Sequence, residues 1–166
     1  MSSGVLIAGP LGVGKTSVAI AVGDILHERG AGAAIVDLDW LGWLIGSSVS
    51  INEVIAKNLA AIWPNLRAAG AEYLILTRAL ENRSDAETFR AAVPDVSLVI
   101  AHVTAPLDVI HARLRRRDAG ATLQEHLVQS AEMGDLERQS DDIYISNGDT
   151  PVEDTAARLL DELGWL

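Results

Sequence analysis

Short, continuous apolar runs alternate along the chain with longer stretches in which apolar residues recur every three or four positions. The first pattern is typical of strands buried on both faces, and the second of amphipathic helices. Five apolar runs predict strands at residues 4–8, 33–38, 73–77, 97–103 and 143–145. Helical stretches separate them, and this alternation predicts βαβ units around a parallel sheet. We therefore expect an α/β fold, a three-layer sandwich with a five-stranded parallel sheet.

Polar residues at the predicted helix ends add detail to this pattern. Four pairs combine Ser or Thr with Glu three residues later, which is the sequence of a capping box at a helix start. The pairs are Ser50/Glu53, Ser84/Glu87, Thr122/Glu125 and Thr150/Glu153. Pro64 lies in the helical stretch after the second predicted strand and lacks the backbone N–H that a helix interior needs, so it predicts a kink or a break there.

Composition and charge exclude several classes of protein. The length suits a single domain, residues 1–166, and 13 Lys+Arg against 23 Asp+Glu give a formal net charge of −10. This charge repels nucleic acids and acidic membranes, so we expect neither as a partner. The chain contains no cysteine, and its apolar runs all fall short of the ~20 residues that cross a bilayer. The first apolar run has no basic residue before it, which disfavours a secretory signal. We therefore expect a cytoplasmic protein of undetermined oligomeric state.

A glycine-rich sequence follows the first predicted strand. Residues 9–16, Gly-Pro-Leu-Gly-Val-Gly-Lys-Thr, match G-x-x-x-x-G-K-[ST] at every defined position, and an amphipathic helix follows. Glycines let backbone N–H groups turn inward around phosphates, the lysine reaches the β- and γ-phosphates, and the threonine hydroxyl binds Mg²⁺. This motif predicts binding of ATP with Mg²⁺. The predicted nucleotide-binding residues here are Gly9, Pro10, Leu11, Gly12, Val13, Gly14, Lys15, Thr16 and Ser17.

Acidic residues after the strands discriminate among phosphate-loop proteins. The third and fourth predicted strands end without an acid, which disfavours mechanical ATPases, and a guanine-reading Asn-Lys-x-Asp sequence is missing. The acids follow the second strand instead, at Asp37 and Asp39. A spacing of two puts both carboxylates on one side of an extended segment. They would then meet at the carboxyl edge of the sheet, where ligands bind.

The phosphate loop after strand one and the acid pair after strand two resemble the small P-loop kinases of the shikimate, gluconate and adenylylsulfate kinase group. The resemblance covers nearly the whole chain in the order of its elements. It implies a sheet order of 2-3-1-4-5, a short lid at about residues 115–125, and transfer of the γ-phosphoryl of ATP to a hydroxyl of a small molecule. By this likeness Asp39 orients the acceptor hydroxyl and accepts its proton, and Asp37 holds Mg²⁺ directly or through water.

A basic helix precedes the predicted lid. Arg113, Arg116 and Arg117 are spaced i, i+3, i+4 and share one face, while Arg115 points elsewhere. In the resembling kinases such arginines approach the ATP phosphates on closure, so Arg116 and Arg117 are catalytic candidates and Arg113 a nucleotide-binding one. A solvated face with salt bridges to nearby acids is the alternative.

The remaining candidates lie near the predicted acceptor and adenine positions. Trp40 follows the acid pair and either stacks on an acceptor ring or packs under the next helix. Arg78 and Arg83 follow the third strand, where the resemblance implies a basic residue for an anionic group on the acceptor. Asn147 and Gly148 resemble the stretch that passes the adenine in this group.

Two other functions stay open at this point. One is a nucleoside or nucleotide kinase. The other is a non-catalytic regulatory module that uses ATP as a switch. The acceptor itself is not identified by the sequence.

Overall fold

The computed structural model describes residues 1–46, 49–132, 139–148 and 150–166. Five strands lie within these ranges: β1 (Ser2–Ala8), β2 (Ala33–Asp37), β3 (Tyr73–Arg78), β4 (Val96–Thr104) and β5 (Ile143–Ser146). The helices found there are α1 (Lys15–Glu28), α2 (Leu38–Leu41), α3 (Ile51–Ala68), α4 (Arg83–Ala92), α5 (Leu107–Arg117), α6 (Gly120–Glu132) and α7 (Val152–Glu162). Each predicted strand is present, with its ends moved by two residues or fewer.

The strands form one parallel sheet in the order β2-β3-β1-β4-β5. This confirms the predicted α/β fold and the order 2-3-1-4-5. The first strand is central because it pairs with β3 on one side and with β4 on the other. The loops after β1, β2 and β3 therefore meet at one edge of the sheet, the edge at which open α/β sheets bind ligands.

Apolar side chains fill both spaces between the sheet and its helices. On one face, Val5 and Ile75 pack with residues of α1, α5 and α7, and all of these side chains are buried. On the other face, Leu6 and Leu74 pack with residues of α3 and α4. Adjacent residues of a strand thus enter opposite cores, which explains why the strands are continuously apolar. The three layers are helices, sheet and helices.

The start of α4 corrects one predicted capping box. The residue that caps α4 is Asn82, whose side chain accepts a hydrogen bond from the backbone N–H of Asp85. The Asp85 side chain accepts in return from the backbone N–H of Asn82. The predicted Ser84/Glu87 box is wrong because an asparagine two residues earlier makes the same reciprocal contact with an aspartate.

The other helix ends also differ from prediction. Ser50 precedes α3 but its side chain makes no capping bond, and Thr122 lies inside α6, which begins at Gly120. Pro151 is the cap residue of α7, again without a side-chain bond, so the Thr150/Glu153 box is wrong as well. The predicted break at Pro64 does not occur: α3 continues through that residue.

In the described ranges, no helix has the length and apolarity needed to span a membrane.

Candidate functional site

The phosphate loop joins β1 to α1 and takes its shape from glycines. Gly9 has φ +154°, and a Cβ there would lie 2.4 Å from the carbonyl oxygen of Val103. Gly14, at the start of α1, has φ +100°, and a Cβ would lie 2.6 Å from the amide nitrogen of Asn147. Both positions combine a backbone conformation that favours glycine with a close approach of a neighbour. Hence the loop can follow this path only with glycine at these positions.

Lys15 is the first residue of α1 and bends back over the loop. Its Nζ donates hydrogen bonds of 3.0 Å to the carbonyl oxygens of Gly9 and Pro10. Burial lowers the pKa of Lys15 from 10.5 to about 8, although the charges of Asp39 and Asp37 oppose the shift. Desolvation penalises the charged amine, and an anionic group bound beside it would favour the charged form again.

Two side chains from distant parts of the chain hold the carbonyl oxygen of Val13 in the middle of the loop. Arg113 Nη1 donates to it at 3.0 Å, and Asn147 Nδ2 donates to it at 2.8 Å. The other nitrogen of the guanidinium, Nη2, donates to the carbonyl oxygen of Gly148 at 3.0 Å. Asn147 is itself fixed, since its Oδ1 accepts from the Thr155 hydroxyl at 3.2 Å. We call Arg113 and Asn147 together the Val13 clamp.

A cavity of about 520 Å³ opens above the loop. Its walls come from the loop, the acid pair, α5 and the start of α7. The lining residues are Leu11, Gly12, Gly14, Lys15, Thr16, Ser17, Asp37, Asp39, Arg113, Leu114, Arg117, Asn147, Thr150 and Val152. Sequence reasoning missed Leu114, Thr150 and Val152. Thr150 and Val152 flank Pro151 at the start of α7. The packing of α7 against α1 brings this helix start close to the phosphate loop.

The acid pair reaches the cavity by a route other than the expected one. Asp37 ends β2 and its Oδ1 accepts the backbone N–H of Asp39 at 3.1 Å, which caps the short helix α2. Asp39 therefore stands on a helical turn, and the extended segment assumed from the spacing is wrong. Both carboxylates nevertheless line the cavity. The hydroxyl of Thr16 donates to Asp37 Oδ2 at 3.5 Å, so these oxygen atoms of α1 and β2 are neighbours.

Asp39 begins a chain of paired side chains that leads away from the phosphate loop. Its Oδ1 forms an ion pair with Arg78 Nη1 at the end of β3. Arg78 Nη2 donates to Asn52 Oδ1 at 2.8 Å, and Asn52 Nδ2 donates to Asp85 Oδ1 at 2.8 Å. The guanidinium carbon lies 5.9 Å from the ring centre of Phe89, within the range of cation–π attraction. We call this set the Asp39–Arg78 chain. It fixes a positive charge next to the carboxylate.

The arginines of the predicted lid have different surroundings. Arg117 lines the cavity and makes two hydrogen bonds to Asp118, with Nε at 2.8 Å and Nη2 at 2.9 Å. His126 on α6 also contacts Asp118, at 2.8 Å. The hydrogen bonds from Arg117 and His126 hold the pKa of Asp118 well below its usual range. Arg116 is exposed and does not line the cavity.

Arg83 lies in a separate cluster. It forms a bidentate pair with Asp142, at 2.6 and 3.0 Å, and His102 Nε2 contacts the same carboxylate at 3.0 Å. Burial alone would raise the pKa of Asp142, but the hydrogen bonds from Arg83 and His102 outweigh it and lower the pKa. Arg83 does not line the cavity, and this pairing joins α4 to the segment before β5.

Trp40 is 70% exposed and Trp43 is 68% exposed, and their ring centres lie 4.9 Å apart. Neither packs under α3, so the structural alternative for Trp40 is wrong. Trp40 also does not line the cavity. It follows Asp39 directly in α2, so it stands beside the acid pair on the solvent side.

The oxygen atoms at the start of α1 suit Mg²⁺. This ion prefers oxygen ligands and keeps several of its waters, so it needs few protein groups. Thr16 and Asp37 offer a hydroxyl and a carboxylate whose oxygens are 3.5 Å apart. The first turn of α1 contains no acidic residue that would oppose an anion at the helix start. These donors fit a magnesium–nucleotide complex.

The comparisons with known structures agree with this architecture. The chain is similar to a sugar kinase from Janibacter sp., at 24% identity over 99% of this chain and 95% of that one, with a TM-score of 0.68. It is similar to a gluconokinase from Sinorhizobium meliloti, at 18% identity over 99% and 93%, with a TM-score of 0.66. It is also similar to the Mycobacterium tuberculosis APS kinase in complex with AMPPNP and APS, at 21% identity over 98% of both chains, with a TM-score of 0.64.

These similarities concern the fold. The predicted resemblance to P-loop small-molecule kinases is confirmed in the five-stranded sheet, its order and the coverage of nearly the whole chain. No protein-family model and no curated protein sequence matches the chain.

Proposed function

We propose that the protein is an ATP-dependent phosphotransferase that moves the γ-phosphoryl group of ATP to a hydroxyl of a small molecule. The observation that carries the proposal is a single cavity lined by Lys15 and Thr16 of the phosphate loop and by both carboxylates of the acid pair. A site that only binds ATP needs the loop. The second carboxylate, Asp39, is the additional group that phosphoryl transfer requires, since it offers a base beside the phosphates.

On this proposal the phosphates lie along the loop and the start of α1. Backbone N–H groups of the first turn point toward them, and Lys15 leaves the carbonyls of Gly9 and Pro10 to meet the β- and γ-oxygens. Arg117 contributes positive charge from α5 once it exchanges Asp118 for a phosphate oxygen. Fixed positive charge in such a site stabilises the transition state more than the ground state.

The acceptor hydroxyl lies against Asp39. Its oxygen forms a bond to the γ-phosphorus while the bond from that phosphorus to the β,γ-bridging oxygen breaks, which leaves ADP. Asp39 takes the hydroxyl proton, and Arg78 holds the carboxylate in position through their ion pair. When bound, Mg²⁺ neutralises charge on the β- and γ-phosphates, and Thr16 and Asp37 are the residues that would hold it.

The proposal keeps several site residues as predictions. Trp40 stacks on the acceptor from the solvent side, and Arg78 and Arg83 bind an anionic group on it. Of the two arginines, Arg78 has the better support because its ion-pair partner lines the cavity, whereas Arg83 is paired with Asp142. A nucleoside or nucleotide is the second candidate class of acceptor, and a location in the cytoplasm stays a prediction.

The test is a phosphotransfer screen with ATP and Mg²⁺ against sugars, hydroxy acids, nucleosides and antibiotics, read as ADP formed. We expect at least one hydroxyl compound to stimulate ADP formation. Steady ATP binding without any stimulated turnover would favour the regulatory alternative.

Lys15→Ala tests the nucleotide half of the proposal directly. It removes the positive charge that the loop offers to the phosphates, and we expect ATP affinity to fall by about 10²-fold or more in calorimetry. Lys57→Ala is the matched control, since Lys57 is the other lysine of the chain and lies exposed on α3. Unchanged ATP affinity in Lys15→Ala would contradict the assignment of the loop.

A further inference from the structure

One carboxylate at the end of α5 holds two donors at once. Asp118 accepts from Arg117 Nε at 2.8 Å and from Arg117 Nη2 at 2.9 Å, and the second of these bonds ends on Oδ2. His126 Nδ1 lies 2.8 Å from the same Oδ2. Because the low pKa of Asp118 keeps it ionised, its oxygens only accept, so Nδ1 carries the proton and donates. Two donors, 3.4 Å apart, therefore share one acceptor atom.

The three side chains have different access to the cavity. Arg117 is 52% exposed and lines the cavity, whereas Asp118 and His126 are 11% and 25% exposed and do not line it. The charge of Arg117 also lowers the pKa of Lys15, so the guanidinium stands near the amine that the phosphate loop offers. Arg117 is thus the member of the three that a ligand in the cavity can reach.

His126 is held in place by the packing of α6 rather than by Arg117. Leu123 and Leu127, on either side of it in α6, pack against the core that contains Leu114 of α5. The two helices also contact each other. Because these apolar contacts set the distance from His126 to Asp118, that hydrogen bond can persist when Arg117 turns away.

We propose that His126 is a positioning residue for Arg117: it keeps Asp118 hydrogen-bonded when the guanidinium leaves that carboxylate for a phosphate oxygen of bound ATP. The inference rests on the proposed function, in which Arg117 makes this exchange. A largely enclosed carboxylate that loses every partner is strongly destabilised. His126 reduces that penalty, so the predicted lid acts through the exchange of one side chain while α5 and α6 stay packed.

The alternative is a cluster that only joins α5 to α6. The two roles make opposite predictions for Asp118→Asn. If the cluster is only a joint, the variant loses an ion pair that supports α5, and nucleotide affinity falls or stays the same. If Asp118 holds Arg117 back, the variant loses the charge that holds it, and nucleotide affinity rises because the guanidinium is released more easily.

The experiment uses Mg²⁺ with AMPPNP, an ATP analogue that is not hydrolysed, and measures its affinity by calorimetry. We expect His126→Ala to weaken binding by about 3- to 10-fold, the size expected for one hydrogen bond, and Asp118→Asn to strengthen it by about threefold. His126→Asn should restore the affinity, since its amide N–H can take the place of Nδ1–H. His27→Ala is the matched control, because His27 is exposed in the last turn of α1, and it should leave the affinity unchanged.

The same substitution in two backgrounds separates the roles further. In Arg117→Ala there is no guanidinium to release, and in Asp118→Asn there is no charge to leave unpaired. We therefore expect His126→Ala to have no further effect on AMPPNP affinity in either background, as coupled residues require. A loss of the same size in all backgrounds would overturn the inference, and so would an Asp118→Asn variant that does not bind more tightly.

Nuclear magnetic resonance follows the exchange directly in ¹⁵N-labelled protein. The Nε–H signal of Arg117 and the Nδ1–H signal of His126 are identified by their absence in the alanine variants. Adding AMPPNP should shift the first and retain the second, and loss of the His126 signal would overturn the inference. If both signals behave as expected but no hydroxyl compound stimulates ADP formation, the proposed transfer is wrong and the role of His126 stands. Failure of the unaltered protein to bind AMPPNP would contradict both.

Discussion

On the proposed function the cavity has two parts, a nucleotide half at the phosphate loop with Lys15 and an acceptor half at Asp39, and the two are held together in different ways. On the nucleotide side the groups that face the ligand are largely backbone, and the Val13 clamp fixes that backbone from α5 and from the segment after β5. The glycine at position 14 leaves room for the clamp, because a Cβ there would collide with Asn147. This half has its shape before any ligand arrives.

On the acceptor side the groups are long side chains that hold one another. The Asp39–Arg78 chain takes one member from each of four elements, α2, β3, α3 and α4. Asp39 and the two neighbouring tryptophans are largely exposed. Side chains lose rotational freedom when they are ordered, so this half is more easily rearranged by an acceptor or by substitution. The difference implies that the two halves can be disabled separately.

Asp39→Asn should separate the two halves with the largest effect, a loss of transfer rate without a loss of ATP affinity. The substitution keeps the shape of the side chain and removes its charge, so phosphoryl transfer should slow by about 10²- to 10⁴-fold. ATP affinity should change little, because the nucleotide half keeps its contacts. Transfer rates and calorimetry across Mg²⁺ concentrations check both expectations.

Asp37→Asn is the companion variant, in which we expect mainly a higher Mg²⁺ requirement. Near-normal turnover of Asp39→Asn would contradict its role as a base. Exchanged phenotypes of the two variants would reverse the roles of the two carboxylates.

A smaller effect is expected for the arginines of the predicted lid. Replacing Arg116 and Arg117 together should slow transfer by about 10²-fold with less effect on ATP affinity. Arg117→Ala alone should account for most of this loss, because Arg117 lines the cavity and its charge lowers the pKa of Lys15. Arg115→Ala, on an exposed side chain of the same helix, serves as the control. Full activity of the double variant would identify the cluster as a solvated face.

The smallest effect concerns pH and belongs to the nucleotide half alone. Burial lowers the pKa of Lys15 to about 8, so the amine is charged at pH 7 and mostly neutral at pH 9. On the proposed function ATP binds the charged form of Lys15, so its affinity should be about tenfold lower at pH 9 than at pH 7. The control is Lys15→Arg, because a guanidinium stays charged at both values. Calorimetric affinities that do not vary with pH in the unaltered protein would contradict this expectation.

The nucleotide half is built mainly from neighbouring residues and the acceptor half from distant ones, and this difference explains which features the sequence predicts. The strands are continuous apolar runs, and the phosphate loop is a local motif, so both follow from neighbouring residues. The pairing of Arg78 with Asp39 joins positions 39 residues apart, and no spacing rule connects them. Arg83 follows the same strand as Arg78 in the sequence, yet the fold pairs it with Asp142.

Helix starts follow from the sequence less well than the strands do. The Asn82–Asp85 box has the same geometry as the predicted one, but the Ser/Thr-x-x-Glu signature does not include an asparagine with an aspartate. The acid pair reached the cavity although its assumed extended conformation was wrong, because Asp37 caps α2 and turns the chain at once. A capping aspartate inside an acidic pair could have indicated that turn.

The Val13 clamp bears on the order in which the protein can mature during synthesis. The loop occupies residues 9–16, whereas the two side chains that hold Val13 come 100 and 134 residues later. A growing chain thus presents the complete motif long before it can fix the loop, and β1 lacks both of its neighbouring strands at that stage. Ligands stabilise only the state that binds them. On the proposed function, ATP would therefore stabilise the finished chain against proteolysis and leave the nascent chain without that protection.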